Sequence, residues 1–209
     1  MATSNGEVFD RLESVFGAVA DRTRCTKARR RTVEEVVELG VELAREGREG
    51  RKIGTLFVVG DVDVVLERSR PLILDPLYGH PRELLHVSDP RFRETVKELA
   101  LLDGAFVVGN DGYFLAAGRF VDVDLADPDN FFPGLGTRHA AAASITRTTD
   151  TVAVVVSQSS VVRVFAEGEV RAEVIPELFL MQRDHLLTPA ADIRAHPDAG
   201  ITVAVAGDR

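Results

Sequence analysis

Three short stretches carry residues that could do chemistry together: Asp103-Gly104, Gly136-Thr137-Arg138-His139, and Ser157. The second is the most unusual. Gly134 and Gly136 loosen the backbone, Thr137 stands where a helix N-cap would stand, and the alanine run 140–143 follows, Ala being the best helix former. Arg138 and His139 then fall in the first turn, where the helix dipole is positive and cations are disfavoured. Such a start either offers an anion site, with free N–H groups and cationic side chains converging on one ligand, or is an ordinary capped helix with two solvated polar residues. Asp103-Gly104 lies at a helix-to-strand junction, either as a simple reversal or as a carboxylate presented for a metal. A carboxylate, a Thr-Arg-His cluster at a helix start and a serine ending a buried strand would suit a metal-bound polyphosphate.

Other chemistries find less support. There is no Walker A motif and no dinucleotide glycine fingerprint. Ser144 and Ser157 lack the Gly-x-Ser-x-Gly context of a hydrolase. His80, His86, His185 and His196 show no zinc-site spacing, and Cys25 is alone, which excludes a disulfide framework.

The elements that must position these residues follow from periodicity. Residues 8–19 and 32–46 have helical spacing, the latter with Val33, Val36, Val37, Gly40, Val41 and Ala44 on one stripe. Residues 55–59 predict a buried strand, Gly60-Asp61 a turn, and residues 62–66 a second strand. Asp89-Pro90 predicts N-cap and N1 of a helix reaching Leu102. A hairpin turned at Asn110-Asp111-Gly112 joins strands at 105–108 and 113–117. After an acidic loop and the Gly134 stretch, strands are predicted at 151–157, 161–165 and 170–174. Residues 176–209 predict a helix plus an apolar strand at 201–205. The sum is an α/β domain: a mixed central sheet built from hairpins, flanked by helices on both sides. It occupies residues 29–175, with a helical extension at 1–28 and an appendage at 176–209.

With 209 residues the chain can bury a sizeable core. Its net charge of −8 argues against general nucleic-acid binding. The basic cluster 22–31 has no interleaved aromatic and is read as a solvated linker and helix start. Lys27, Lys52 and Lys97 are the only lysines, a balance that suits a saline cytoplasm and also follows from a GC-rich genome. No signal peptide or membrane-length apolar run is present, so a cytoplasmic protein without membrane contact is expected.

Leu102-Asp103-Gly104-Ala105, Gly136-Thr137-Arg138-His139 and Val154-Val155-Val156-Ser157 together resemble, in order and spacing, the diadenylate cyclase domain. That domain occurs in the DNA-integrity scanning protein and in membrane-bound bacterial cyclases. The resemblance covers roughly residues 33–174 and is closest to the archaeal branch. It implies condensation of two ATP into cyclic di-AMP and two pyrophosphates with Mn²⁺ or Mg²⁺, in a homodimer or higher oligomer whose two ATP sites face each other. By the same resemblance Asp103 activates the attacking 3′-hydroxyl and holds the metal. Gly104 meets adenine through its backbone, and Phe120 replaces an aliphatic residue against the base. Gly136, Thr137, Arg138 and His139 hold phosphates, His139 also the metal, and Ser157 the terminal phosphates. Two departures are visible. Ala140 stands where the family has a second arginine, and Gln158 where it has a glutamate, which alters the surroundings of the metal. A non-catalytic adenine-nucleotide sensor is the alternative these departures leave open.

Overall fold

The computed structural model describes residues 27–123, 136–177, 192–196 and 201–205. The expected helix at 8–19, most of the acidic loop, Gly134 and the body of the helix after Pro176 lie outside the described residues. The elements are α1 (Lys27–Glu46), β1 (Thr55–Gly60), α2 (Val62–Glu67), β2 (Ser69–Pro71), α3 (Pro90–Leu99), β3 (Ala105–Gly109), β4 (Phe114–Val121), α4 (Thr137–Thr148), β5 (Thr151–Val156), β6 (Val162–Ala166) and β7 (Glu169–Val174). A separate antiparallel pair, β8 (Asp192–His196) and β9 (Ile201–Val205), follows; the sequence anticipated the second of these strands and not the first.

The seven-stranded sheet runs β2-β4-β3-β1-β5-β6-β7. Only β1 and β3 pair in parallel, and every other pairing is antiparallel. The parallel pair exists because the expected strand at 62–66 is a helix. Val62, Val65 and Leu66 stand at i, i+3 and i+4, and Val65 is fully buried while Val62 and Leu66 pack beside it. The chain therefore leaves β1 through α2 rather than turning straight back. It returns by way of α3, whose start is as expected: the Asp89 carboxylate accepts from the N–H groups of Arg91 and Phe92, with Pro90 at N1.

Helices cover both faces. On one, the α1 stripe (Val33, Val36, Val37, Val41) and Phe92 and Val96 of α3 pack on Phe57, Phe106, Phe114 and Val154. Phe57 stacks on Phe106 at 5.1 Å, and Phe92 meets Phe114 edge-on at 5.2 Å. On the other face Val65 of α2 and Ala142, Ala143 and Ile145 of α4 pack on Val58, Val107, Val155 and Phe165. The alanines let α4 lie close to the sheet, which fixes where its first turn points.

Two charged features depart from simple solvation. Arg29, in the basic cluster, is 4% exposed; it donates to Asp150 at 2.7 Å and to Asn110 at 2.7 Å. The part of that cluster inside the described residues is thus structural, with Arg30 and Arg31 paired to Glu34 and Glu35 one turn on. Lys97 is buried between α1 and α3 among Glu42, Glu46 and Glu94 at 2.9, 3.1 and 2.8 Å. Burial alone would lower its pKa, but hydrogen bonds to the three carboxylates outweigh it and hold the ammonium above its usual range.

Candidate functional site

The sheet register gathers the candidate residues at one end. β1 is parallel to β3 and antiparallel to β5, with Leu56 beside Ala105 and Thr55 beside Val156. Gly54, Gly104 and Ser157, each one residue beyond its strand, therefore emerge together, and the start of α4 lies over them. Thr137 is not the N-cap. Gly136 takes that position with extended backbone, and Thr137 is the first helical residue. A glycine cap has no side-chain oxygen to offer, so the first-turn N–H groups have no side-chain acceptor. The first turn carries no acid either.

Arg138 reaches from this turn to Asp103, with Nη2 3.0 Å from Oδ1. The guanidinium thus has an internal anion, which the sequence reading did not foresee. The pair is open to solvent (35% and 80% exposed), so it contributes at most ~1 kcal/mol. Gly54 makes room for it: a Cβ there would lie 3.3 Å from Arg138 Nη1 and 3.3 Å from Gln158 Cγ. Gln158, the departure from the family pattern, therefore borders the same glycine as Arg138. Ser157 ends the buried strand; its N–H donates to the Val161 carbonyl and its hydroxyl shares a 2.5 Å bond with Ser159.

His139 points the other way, into the protein. It is 5% exposed, its ring edge-on to Phe165 at 6.0 Å, and its Nε2 lies 3.3 Å from Arg163 Nη1. Arg163 also donates to Glu173. Burial first, and Arg163 second, push the imidazole pKa down to about 4, so His139 is neutral at neutral pH. A guanidinium can only donate, so Nε2 accepts and the proton sits on Nδ1, which is buried without a partner.

Gly104 and Phe120 occupy the β3–β4 side. Gly104 has φ +108°, and a Cβ on it would lie 2.6 Å from the Gly118 carbonyl carbon. Gly118 in turn (φ +63°) lies under Ile73. The segment after β2 is strapped there: the Leu72 N–H donates to the Gly118 carbonyl, and the Asp75 carboxylate accepts from Ala117 and Leu77. Phe120 is 41% exposed, opposite Arg70 across the β2–β4 ladder. Gly54, Gly118 and Arg163 escaped the sequence reading. A glycine just before a buried strand was the available signal for Gly54; Arg163 carried none.

Among the described residues no group of three His, Cys, Asp or Glu forms a metal cage. The exposed Asp103 carboxylate nevertheless fits Mg²⁺ or Mn²⁺ of the kind held by one or two carboxylates and completed by phosphate oxygens and water. His139 fits less well, since Arg163 takes the lone pair of Nε2.

The sequence model of the family described as DisA bacterial checkpoint controller nucleotide-binding matches residues 42–170. A diadenylate cyclase of Methanocaldococcus jannaschii is 44% identical over 70% of this chain and 46% of its own length. One of Haloferax volcanii is 34% identical over 80% of this chain and 61% of its own. The chain thus spans between about half and three fifths of these curated relatives. Among solved structures, DacA from Staphylococcus aureus superposes with a TM-score of 0.46 at 22% identity, over 76% of this chain and 97% of that one.

Proposed function

This chain belongs to the diadenylate cyclase family, and from that premise we propose that it condenses two ATP into cyclic di-AMP and two pyrophosphates. The observation that carries the reading is the 3.0 Å approach of Asp103 and Arg138 at a helix start that has no side-chain cap. An incoming triphosphate is a stronger anion than one exposed carboxylate. Arg138 exchanges Asp103 for phosphate oxygens, which the first-turn N–H groups and the Ser157 hydroxyl also bind. Asp103 is then free to accept the proton of a 3′-hydroxyl. That oxygen attacks the α-phosphorus of the second ATP, the new P–O bond forms as the α–β bridge breaks, and pyrophosphate leaves with the bonding pair. A second such step closes the ring.

A divalent ion, held by Asp103 together with phosphate oxygens, would neutralise charge on the triphosphate and polarise the attacked phosphorus. His139, neutral and packed against Arg163, shapes the wall beneath the phosphates and adds no positive charge.

Arg138→Ala is expected to weaken ATP binding by about 1.5–3 kcal/mol, the size of a charge-assisted hydrogen bond. Its thermal midpoint should change little, because the exposed pair with Asp103 contributes at most ~1 kcal/mol. Calorimetric titration with ATP and a melting curve on the same sample check both. Unfolding of the variant with unchanged ATP affinity would make Arg138 a structural ion-pair residue.

The described residues of one chain form one such site, so in this reading two chains face each other, as a homodimer or within a larger oligomer. Specific activity should therefore rise with enzyme concentration in the dilute range. A flat dependence where light scattering detects only monomer would contradict the facing arrangement.

A further inference from the structure

His139 ties the first turn of α4 to the sheet, and Arg163 is what holds it there. Strand periodicity puts Arg163 and Phe165 on the same face of β6, the face that α4 covers. The His139 ring stands edge-on to Phe165, with Nε2 3.3 Å from Arg163 Nη1. Directly opposite on β7, Glu173 accepts from Arg163 Nε. Among the described residues these are the guanidinium's side-chain partners: one carboxylate and one neutral ring.

A cross-strand ion pair accounts for only half of this. Arg163 and Glu173 face each other on the ladder and would pair with no helix above them. The contact with His139 needs another reason. The Arg163 side chain is only 15% exposed, and a cation drawn out of water is unfavourable. It also lies under the end of α4 where the helix dipole is positive. The first turn has no acid to offset it, and Arg138 is already a cation there. A second cation beneath that turn is disfavoured in the free protein and favoured once an anion lies over it. The two neighbours on the turn also reach different parts of the sheet. Arg138 reaches Asp103 before β3, and His139 reaches β6. The direction of Arg138 and of the first-turn N–H groups therefore depends on where the imidazole is seated.

Resting on the reading of this turn as the phosphate-binding part of an ATP site, we propose that Arg163 is a positioning residue for the turn: it acts through the His139 ring, whose Nε2 it holds, and touches no phosphate itself. The hydrogen bond fixes the imidazole with its proton on Nδ1 and locks the helix start onto β6. Glu173 steadies the guanidinium from the other side and is not in the path to the phosphates. Loss of Arg163 thus weakens the grip on any polyphosphate, whatever base it carries.

The test uses the full chain and the variants Arg163→Met, Arg163→Lys, Glu173→Gln, His139→Phe and Arg163→Met/His139→Phe, each checked for folding by its melting curve. The first readout is the ¹⁵N signals of the imidazoles at neutral pH, with His139 identified by its loss in His139→Phe. Wild type and Glu173→Gln should show Nδ1 protonated and Nε2 bare; Arg163→Met should lose that preference. The second readout is affinity for ATP and for inorganic tripolyphosphate. Arg163→Met should bind both about fivefold or more weakly, the size of one hydrogen bond from a charged donor. Arg163→Lys keeps the charge and can still pair with Glu173, but it lacks the fork that serves both partners, so it should not restore affinity. Should Arg163→Met fail to fold, Arg163→Lys carries this arm. Glu173→Gln should stay within about twofold of wild type, and adding Arg163→Met to His139→Phe should cost no more than about twofold further. Unchanged polyphosphate affinity in Arg163→Met or Arg163→Lys would overturn the proposal. Additive losses in the double variant, or full rescue by Lys, would overturn it as well, by making Arg163 a direct or long-range phosphate cation. A wild-type His139 protonated on Nε2 would also overturn it. A wild type that binds neither ATP nor tripolyphosphate would remove the site reading, while the imidazole signals would still show whether Arg163 holds His139.

Discussion

Asp103→Asn is expected to leave ATP bound and to stop most of its turnover. A carboxylate beside the attacking hydroxyl acts as that oxygen gains nucleophilic character, so its effect belongs to the transition state more than to the ground state. Asn is nearly isosteric and can occupy the same junction before Gly104. It cannot take the hydroxyl proton, and it offers a metal no full negative charge. Turnover should fall by at least ~10²-fold, the low end for loss of a positioned base. ATP affinity should change far less, and could rise slightly: Asp103 no longer competes for Arg138, its 3.0 Å partner in the free protein. Cyclic di-AMP formation and ATP binding measured on one folded sample check this. An equally active Asp103→Asn would remove the carboxylate from the chemistry.

Gly104→Ala should cost the most stability of any single change at the site. Its φ of +108° is one that L side chains rarely adopt. The added Cβ would lie 2.6 Å and 2.7 Å from Gly118 backbone atoms and 2.8 Å from the Arg119 nitrogen. Backbone cannot rotate aside as a side chain can, and Gly118 is itself held under Ile73. A loss of at least ~2 kcal/mol is expected, which for a domain of this size lowers the melting midpoint by roughly 4–8 °C. Gly136→Ala is the internal control. Nothing lies within 4 Å of its Cβ position and its φ is −81°, so it should cost less than about 1 kcal/mol. Equal melting of Gly104→Ala and wild type would show that the β3–β4 contact is looser than described.

Much of this was legible before any coordinates. The α1 stripe, the Asp89-Pro90 helix start, the Asn110-Asp111-Gly112 hairpin and the buried β5 strand all rest on local signals of period, cap or turn. The missed helix at Val62–Glu67 shows where such signals run out. A five-residue stretch with four apolar residues and Asp63 fits a strand as well as a helical turn, and only the parallel pairing of β1 with β3 settles it. The site divides in the same way. Thr137, Arg138, His139 and Asp103 stood out by type and spacing. Their arrangement depends on partners far along the chain: Asp103 lies 35 residues before Arg138, and Arg163 lies 24 after His139. Arg29 looked like part of a solvated basic run because Asp150, its partner, is 121 residues away. That Gly104 must be glycine follows from Gly118 across a bulged register, which no local pattern encodes.

The most direct test of the proposed activity is to incubate the purified chain with ATP and Mn²⁺ or Mg²⁺ and identify the nucleotides by mass. The account predicts cyclic di-AMP with two pyrophosphates released for each molecule formed. ATP recovered bound but unchanged with either metal, at concentrations where the chain self-associates, would contradict it and leave a nucleotide-binding module, with Ala140 and Gln158 the first positions to revert.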